Sequence, residues 1–406
     1  VCVTGLVVVD TSQEFTVMGQ FILLLLIQTG GLGIMTFTGF FSYIFTGSAS
    51  LKDRMLLREV ISSESMGNLF RAIVQIMAVT FFIELLGAVA IGLSLKSGFE
   101  DPFFFSAFHA VSAFCNAGFS TIGDGMANQL LDRNYPFQLT ISILIILGGI
   151  GFPVLLGLLR YFRGRMPWTK LFDPRKSFKW RLFMNQSGVR VVLVCTTVLL
   201  IAGTFFYFIF EQHGSLSGQP LTKQLMDSFF GSVSARTAGF NVTDITRWSN
   251  PTIFLMIALM WVGASPGSTG GGIKTTTFAI ALKAVWDFVR GRQQVELYQR
   301  ELGSETIIRV AVVIVLSLAV IFCCFVVLLL TDPLLDPVYL LFECFSAFGT
   351  VGLSIVNTAT LSEAGKITIM VLMFLGRLGP VTVLAGLMID SRIRYFRYPR
   401  HDYSIN

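Results

Sequence analysis

The sequence predicts an all-α polytopic membrane protein of four pseudo-symmetric repeats, each a helix, a short re-entrant pore helix and a second helix, around one central pore. Three observations predict it. Of 406 residues, 53% are hydrophobic and 13% charged, with mean hydropathy +0.72, a balance outside that of soluble domains. The apolar residues arrive in runs of about 20, enough to cross ~30 Å of hydrocarbon as helix. A motif ending in Gly and a large apolar residue also occurs four times: Val3-Thr4-Gly5-Leu6, Asn116-Ala117-Gly118-Phe119, Thr237-Ala238-Gly239-Phe240 and Thr350-Val351-Gly352-Leu353. Its glycines stand 113, 121 and 113 residues apart, a regularity that marks an internal repeat.

Taken in order, residues 1–18 hold no complete span and begin at Val1, so the sequence is expected to open inside the first repeat. Apolar runs at 19–45, 70–95, 137–159, 189–210, 252–289 (interrupted), 306–331 and 366–389 read as seven crossings. Segments 103–114, 222–234 and 338–348 are too short to cross, and each is followed by a Gly-containing turn; these read as re-entrant elements. The repeats divide as 1–50 (first motif and second helix only), 51–165, 166–295 with its second helix broken at 263–272, and 296–406 with a terminal tail. The register extends both ways from the motif. Phe108, Phe229 and Phe342 lie ten residues before their glycines, and Gly30-Gly31-Leu32-Gly33, Gly148-Gly149-Ile150-Gly151, Gly263-Ala264-Ser265-Pro266 and Gly376-Arg377-Leu378-Gly379 follow 24 to 30 residues after.

Segments 46–71, 160–190, 283–309 and 390–406 carry 22 of the 30 Lys and Arg and 10 of the 24 acids, which places them on the cytoplasmic side. The opposite face is net acidic and would concentrate cations. The basic face fits anionic lipid headgroups. Nucleic-acid binding, disorder and a disulfide scaffold are excluded by composition, and the six cysteines lack paired spacing and read as small hydrophobes. No nucleophile–base pair lies in the spans, so the chain reads as no enzyme and needs no cofactor.

Irregular backbone at membrane depth survives only where it is buried or lines a wet path. Four Gly turns, each after a half-span helix, therefore most simply surround one pore with their carbonyls turned to a dehydrated cation. In the third repeat the span is broken by Gly263, Ala264, Ser265, Pro266, Gly267, Ser268, Thr269, Gly270, Gly271 and Gly272 before Lys274, a run that cannot face lipid as regular helix. It reads as an unwound loop under the turns. A phosphate-binding loop is rejected because Ile273, not Gly, precedes the lysine. Arg377 replaces the second Gly of the Gly-Gly-x-Gly pattern and needs partners at that depth. It is read as bonded to the 263–272 loop and as a barrier to cations; the rival reading is a structural Arg at a helix contact. Lys274 has equal claims to the inner mouth and to a structural role. Glu84 is expected to be paired or protonated inside the bundle, and His109 to be a packed pore-helix residue. Arg236 either pairs with Asp227 or Asp244 or orders its pore helix.

Cys115-Asn116-Ala117-Gly118-Phe119-Ser120, Ser234-Ala235-Arg236-Thr237-Ala238-Gly239-Phe240-Asn241 and above all the run from Gly263 to Thr276 resemble the Trk/Ktr/HKT superfamily of potassium transporters, in particular the bacterial membrane subunits of the KtrB and TrkH type. The resemblance covers nearly the whole chain. It implies K+ uptake across the bacterial inner membrane, a homodimer of two separate pores, and a cytosolic nucleotide-binding regulatory subunit of the KtrA/TrkA type. The segment 160–190, rich in Arg, Lys and aromatics, and the tail 390–406 are the expected docking surfaces for that subunit. Carried over by position, it implies a K+ filter of Val3, Thr4, Gly5, Asn116, Ala117, Gly118, Thr237, Ala238, Gly239, Thr350, Val351 and Gly352, and a gate of residues 263–272 with Lys274 and Arg377. In plant relatives Ser at the first filter glycine goes with Na+, so Gly5 favours K+. K+ is then the transported ion, with Na+ a candidate coupling or activating ion. The alternatives are the K+-translocating subunit of a P-type ATPase and a Na+-selective relative. The Ktr and Trk branches are both kept open.

Overall fold

The computed structural model describes residues 1–33, 69–95, 98–99, 101–123, 125–131, 133–165, 187–292, 294–298 and 300–379. The expected docking segment 160–190, apart from its two ends, and the whole of 390–406 lie outside them. The described residues form twelve α-helices: α1 Val17–Leu32, α2 Leu69–Ser94, α3 Pro102–Phe114, α4 Tyr135–Ile150, α5 Phe152–Arg165, α6 Ser187–Glu211, α7 Leu221–Ser234, α8 Asn250–Trp261, α9 Thr275–Val289, α10 Ser304–Thr331, α11 Pro337–Phe348 and α12 Glu363–Leu378. A two-residue-per-strand antiparallel hairpin pairs Glu296 with Glu301 between α9 and α10.

Helix lengths sort the elements by role. At about 1.5 Å per residue, α2, α6 and α10, with 26, 25 and 28 residues, cross a bilayer. Their outer faces present Phe82, Leu93, Ile201 and Leu330, fully apolar and exposed, as lipid requires. The helices α3, α7 and α11 have 13, 14 and 12 residues and reach halfway. Asp101 caps α3 by accepting from Phe104 N at 3.1 Å, and Asp336 caps α11 by accepting from Val338 N at 2.7 Å; a proline follows each cap, where its missing N–H costs nothing.

The second helices depart from expectation. Residues 137–159 read as one crossing, but the chain bends by 108° between α4 and α5. The break falls at Gly151, whose φ of 99° ends α4; Gly33 (φ 87°) ends α1 and Gly379 (φ 84°) ends α12 in the same way. The last glycine of Gly-Gly-x-Gly is thus a helix stop, since left-handed backbone is open to Gly at no steric cost. The third repeat breaks as expected, between α8 and α9. The helix stops at such a glycine in repeats one, two and four, and in repeat three the run from Gly263 to Gly272 separates α8 from α9.

Packing follows a cyclic rule. Within repeats two to four the first helix packs on its pore helix, α2 on α3, α6 on α7 and α10 on α11. Between repeats, the second helix packs on the next pore helix: α1 on α3, α4 on α7, α8 on α11. The outer ends are tied inside repeats two, three and four. Asn134 donates to Ser94 O at 2.8 Å. Glu211 at the end of α6 accepts from Ser249 N at 2.9 Å and Thr252 Oγ1 at 2.5 Å before α8. Asp332 after α10 accepts from Ser362 N at 2.7 Å before α12. These acids satisfy amides that a helix N-terminus leaves orphaned.

Candidate functional site

The pore helices α3, α7 and α11 each run C-terminally into one of the Gly turns. The amides of each turn are spent on the helix: Ala117 N on Ser112 O (2.7 Å), Ala238 N on Ser234 O (3.0 Å) and Val351 N on Ser346 O (2.8 Å). Backbone of left-handed sign occurs at two positions per turn. Val3 (φ 55°), Asn116 (56°), Thr237 (76°) and Thr350 (50°) share it with Gly5 (84°), Gly118 (72°), Gly239 (77°) and Gly352 (96°), and the residue between each pair does not. Such alternation turns successive carbonyls to one side of the chain, as the converse arrangement gathers amides into a nest. Three of the four non-Gly residues are β-branched, for which positive φ is an outlier costing ~1–3 kcal/mol; strain in the same register four times marks a functional backbone.

The four turns close into a ring. A methyl group added at Gly5 would stand 2.5 Å from Ala117 O, and at Gly118, 2.6 Å from Ala238 O. At Gly239 it would strike Val351 O and at Gly352, Thr4 O. Each glycine therefore abuts the carbonyl of the residue before the next repeat's glycine, in the order one, two, three, four, one. No side chain fits at any of the four. Every non-Gly residue of the ring, from Val3 and Thr4 to Thr350 and Val351, is buried. The negative ends of three pore-helix dipoles converge on it, which favours a cation at the axis. On one side of the ring opens a cavity of about 720 Å³ with the four glycines at its base and Asp10 and Asp244 in its wall.

The broken segment lies on the other side. Val262 and Ile273 pair as an isolated bridge at its neck. Between them, Ser265 N donates to Gly149 O (3.0 Å), Thr269 N to Gly148 O (3.3 Å), Thr269 Oγ1 to Phe114 O (3.1 Å), and Gly272 N to Gly376 O (3.3 Å). Gly271 N donates to Thr350 Oγ1 at 2.9 Å, so the loop touches a ring residue directly. Phe152 N, at the start of α5, donates back to Gly267 O at 2.8 Å. The loop's glycines are required by this closeness: methyls at Gly270 and Gly271 would meet the Thr237 and Thr350 hydroxyls.

Arg377 makes the contact expected of it and one more. Its guanidinium donates to Thr269 O in the loop and to Gly30 O at the end of α1, joining repeats one, three and four. Lys274 turns back into the loop, donating from Nζ to Gly270 O at 2.8 Å. Glu84 is paired, with the Gln28 amide at 3.1 Å. Arg236 does not reach toward Asp244, which is bridged to Arg247 at 3.1 Å; its guanidinium turns inward to Thr196 O and Gly263 O at 3.5 and 3.4 Å. His109 is wholly buried on α3.

Sequence reading missed two parts of the site. Gly30, Gly148 and Gly376 have no room for a methyl because the carbonyls of Val1, Phe114 and Phe348 lie against them; the signal was the repeated Gly-Gly pair, read only as register. The Asn116 side chain also bridges repeats, accepting from Thr237 Oγ1 at 2.8 Å while donating to Ile145 O at 3.2 Å and Ala113 O at 3.0 Å.

The comparisons agree with this architecture. The family model described as TrkH, cation transport protein, matches residues 1–392. The Ktr system potassium uptake protein B of Vibrio alginolyticus is 37% identical over 98% of this chain and 84% of its own length. The potassium/sodium uptake protein NtpJ of Enterococcus hirae is 33% identical over 100% of this chain and 87% of its own. The crystal structure of the potassium transporter TrkH from Vibrio parahaemolyticus superposes with a TM-score of 0.72 at 18% identity, covering 95% of this chain and 75% of that one, and so shares the fold. The chain is a multi-pass membrane protein of the TrkH family of cation transport proteins.

Proposed function

We propose that this protein takes up K+ across the bacterial inner membrane, with the four-turn ring as its filter and the 263–272 loop as its gate. The observation that carries the reading is the closed ring itself: four left-handed Gly turns, each abutting the next repeat's carbonyl, between an acid-bearing cavity and a loop bonded to repeats two and four. In this mechanism a hydrated cation enters the cavity past Asp10 and Asp244, sheds water, and is held by carbonyls of Val3, Thr4, Asn116, Ala117, Thr237, Ala238, Thr350 and Val351. Passage beyond the ring requires the loop to leave its bonds to Gly148, Gly149, Gly376, Thr350 and Phe114. Arg377 holds that loop closed and sets a fixed positive charge on the path of the ion. Lys274 braces the loop from within.

The names of the relatives support the choice of K+, and a Ktr system by its name has more than one component. A cytosolic nucleotide-binding subunit that releases the loop, and a homodimer with one pore per protomer, complete the proposal. The protein acts as a transporter and not as an enzyme. The relative named for both potassium and sodium keeps one second reading in view, a filter that passes both ions. Rubidium uptake into proteoliposomes, with K+ and Na+ as competitors, separates the two. K+ competing where Na+ does not supports the K+ filter, and equal competition refutes it.

A further inference from the structure

The pore helices carry a polar device at one register that the uptake mechanism does not use. Nine residues before the filter glycine stand His109 in repeat two, Phe230 in repeat three and Glu343 in repeat four. All three are completely buried. Glu343 on α11 reaches across to the segment leaving the fourth turn: its Oε1 accepts from Ser354 Oγ at 2.7 Å, Ile355 N at 2.9 Å and Val356 N at 3.3 Å. His109 on α3 does the same in repeat two. Its Nδ1 lies 2.9 Å from Phe105 O and so carries the proton, which leaves Nε2 to accept from Ser120 Oγ at 3.0 Å. Ser120 and Ser354 are each two residues after their glycine. Two unrelated side chains thus make the same bond between the same two repeat positions.

Repeat three lacks this bond. Phe230 offers no acceptor and Asn241 occupies the place of the two serines; Ser234 Oγ donates to Phe240 O, a bond that Ser112 Oγ also makes to Phe119 O at 2.8 Å in repeat two. The exit from the ring is therefore pinned from the pore helix by an acceptor in repeats two and four, which lie opposite one another in the cyclic order, and not in repeat three.

We propose that Glu343 and His109 are positioning residues for ion discrimination, fixing the carbonyls of the second and fourth turns by holding the residues just beyond Gly118 and Gly352. This rests on the reading of the ring as the selective element. A carbonyl ring that discriminates by spacing loses discrimination when one turn can yield, and Glu343 secures three donors within four residues of Gly352. Neither residue touches the ion; each acts through the backbone it holds.

The test is the ratio of Na+ to K+ inhibition constants for rubidium uptake into proteoliposomes by Glu343→Ala, Glu343→Gln, Ser354→Ala and the Glu343→Ala/Ser354→Ala pair, on protein that elutes as wild type on size exclusion. Glu343→Ala is expected to lower the ratio at least about fivefold, the loss of several hydrogen bonds to one acceptor. Ser354→Ala lowers it less, and the pair no further than Glu343→Ala alone, because both remove one interaction. Glu343→Gln, which keeps an acceptor oxygen, retains most of the ratio, as a merely charge-dependent role would not allow. Should Glu343→Ala fail to fold, Ser354→Ala and Glu343→Gln decide. A wild-type ratio in Ser354→Ala, or a Gln variant as impaired as Ala, overturns the proposal. Gly239→Ser alongside separates the two levels: if it destroys discrimination while Glu343→Ala leaves it whole, the pinning fails and the ring stands; if Gly239→Ser changes nothing, the ring reading fails and the pinning with it.

Discussion

Replacing Arg377 by alanine is the sharpest perturbation of the proposed gate. The guanidinium donates to two carbonyls, Thr269 O in the loop and Gly30 O in α1, in a half-buried position. Hydrogen bonds to a charged group contribute about 1.5–3 kcal/mol each, net of the exchange with water, so the Thr269 bond biases the loop toward its closed position by ~1.5–3 kcal/mol while the Gly30 bond fixes the guanidinium. That bias corresponds to roughly 10- to 100-fold in the open-to-closed ratio. Removal also takes a positive charge off the ion's path, which acts in the same direction. Rubidium flux through Arg377→Ala in proteoliposomes without any partner is expected to rise at least about tenfold. Arg377→Lys, which keeps the charge but cannot fork to two carbonyls, should fall between the two. A folded Arg377→Ala protein with unchanged flux and unchanged response to its partner would refute the gating role and leave Arg377 a structural residue at a helix contact.

Other consequences follow from the same geometry. Thr350→Val keeps the shape of the ring residue but strands the Gly271 amide, at about 1–3 kcal/mol; partner-independent rubidium flux should rise several-fold, and an unchanged flux would uncouple ring from loop. Gly376→Ala drives a methyl into Phe348 O and should cost ~1–3 kcal/mol or more, read as loss of the monodisperse peak in fluorescence-detected size exclusion; a normal peak with a wild-type melting temperature would contradict the packing. Burial alone would raise the Asp332 carboxyl, but bonds from the Ser362 amide and the Thr331 and Ser362 hydroxyls outweigh it and hold it below its ordinary value. Its stabilisation is therefore present above the ordinary carboxylate range near ~3.9 and lost as pH falls through the depressed folded value. The melting-temperature difference between wild type and Asp332→Asn should shrink as pH is lowered toward 3, and a constant gap would show that the charge is irrelevant.

Much of this was legible because repetition in sequence is repetition in space. The three short helices sit within a residue or two of 103–114, 222–234 and 338–348, since half-span apolar runs ending at Gly have few other uses at membrane depth. The motif spacing forecast four turns, and they form one ring. The bend at Gly151 was not legible: residues 137–159 are uniformly apolar, and hydropathy carries no information on φ, whereas the position of Gly at the end of Gly-Gly-x-Gly did. The direction of Arg236 was also hidden. The sequence left it a choice between Asp227 or Asp244 and its own pore helix, whereas its side chain runs inward to Thr196 O on α6 and to Gly263 O beyond α8. The Glu343 and His109 bonds could have been suspected from a polar residue at a shared register with a serine eleven positions on, a pattern obscured by the different side chains used.

If the ring of Gly5, Gly118, Gly239 and Gly352 binds the transported ion, that ion sits on the ring's axis. The most direct measurement is anomalous diffraction from crystals of the protein grown in rubidium and, separately, in sodium. Rubidium peaks are expected on the axis enclosed by the carbonyls of Val3, Thr4, Asn116, Ala117, Thr237, Ala238, Thr350 and Val351, displaced by added K+ and not by equal Na+. Rubidium absent from the axis, or held elsewhere with the ring vacant, would contradict binding at the ring.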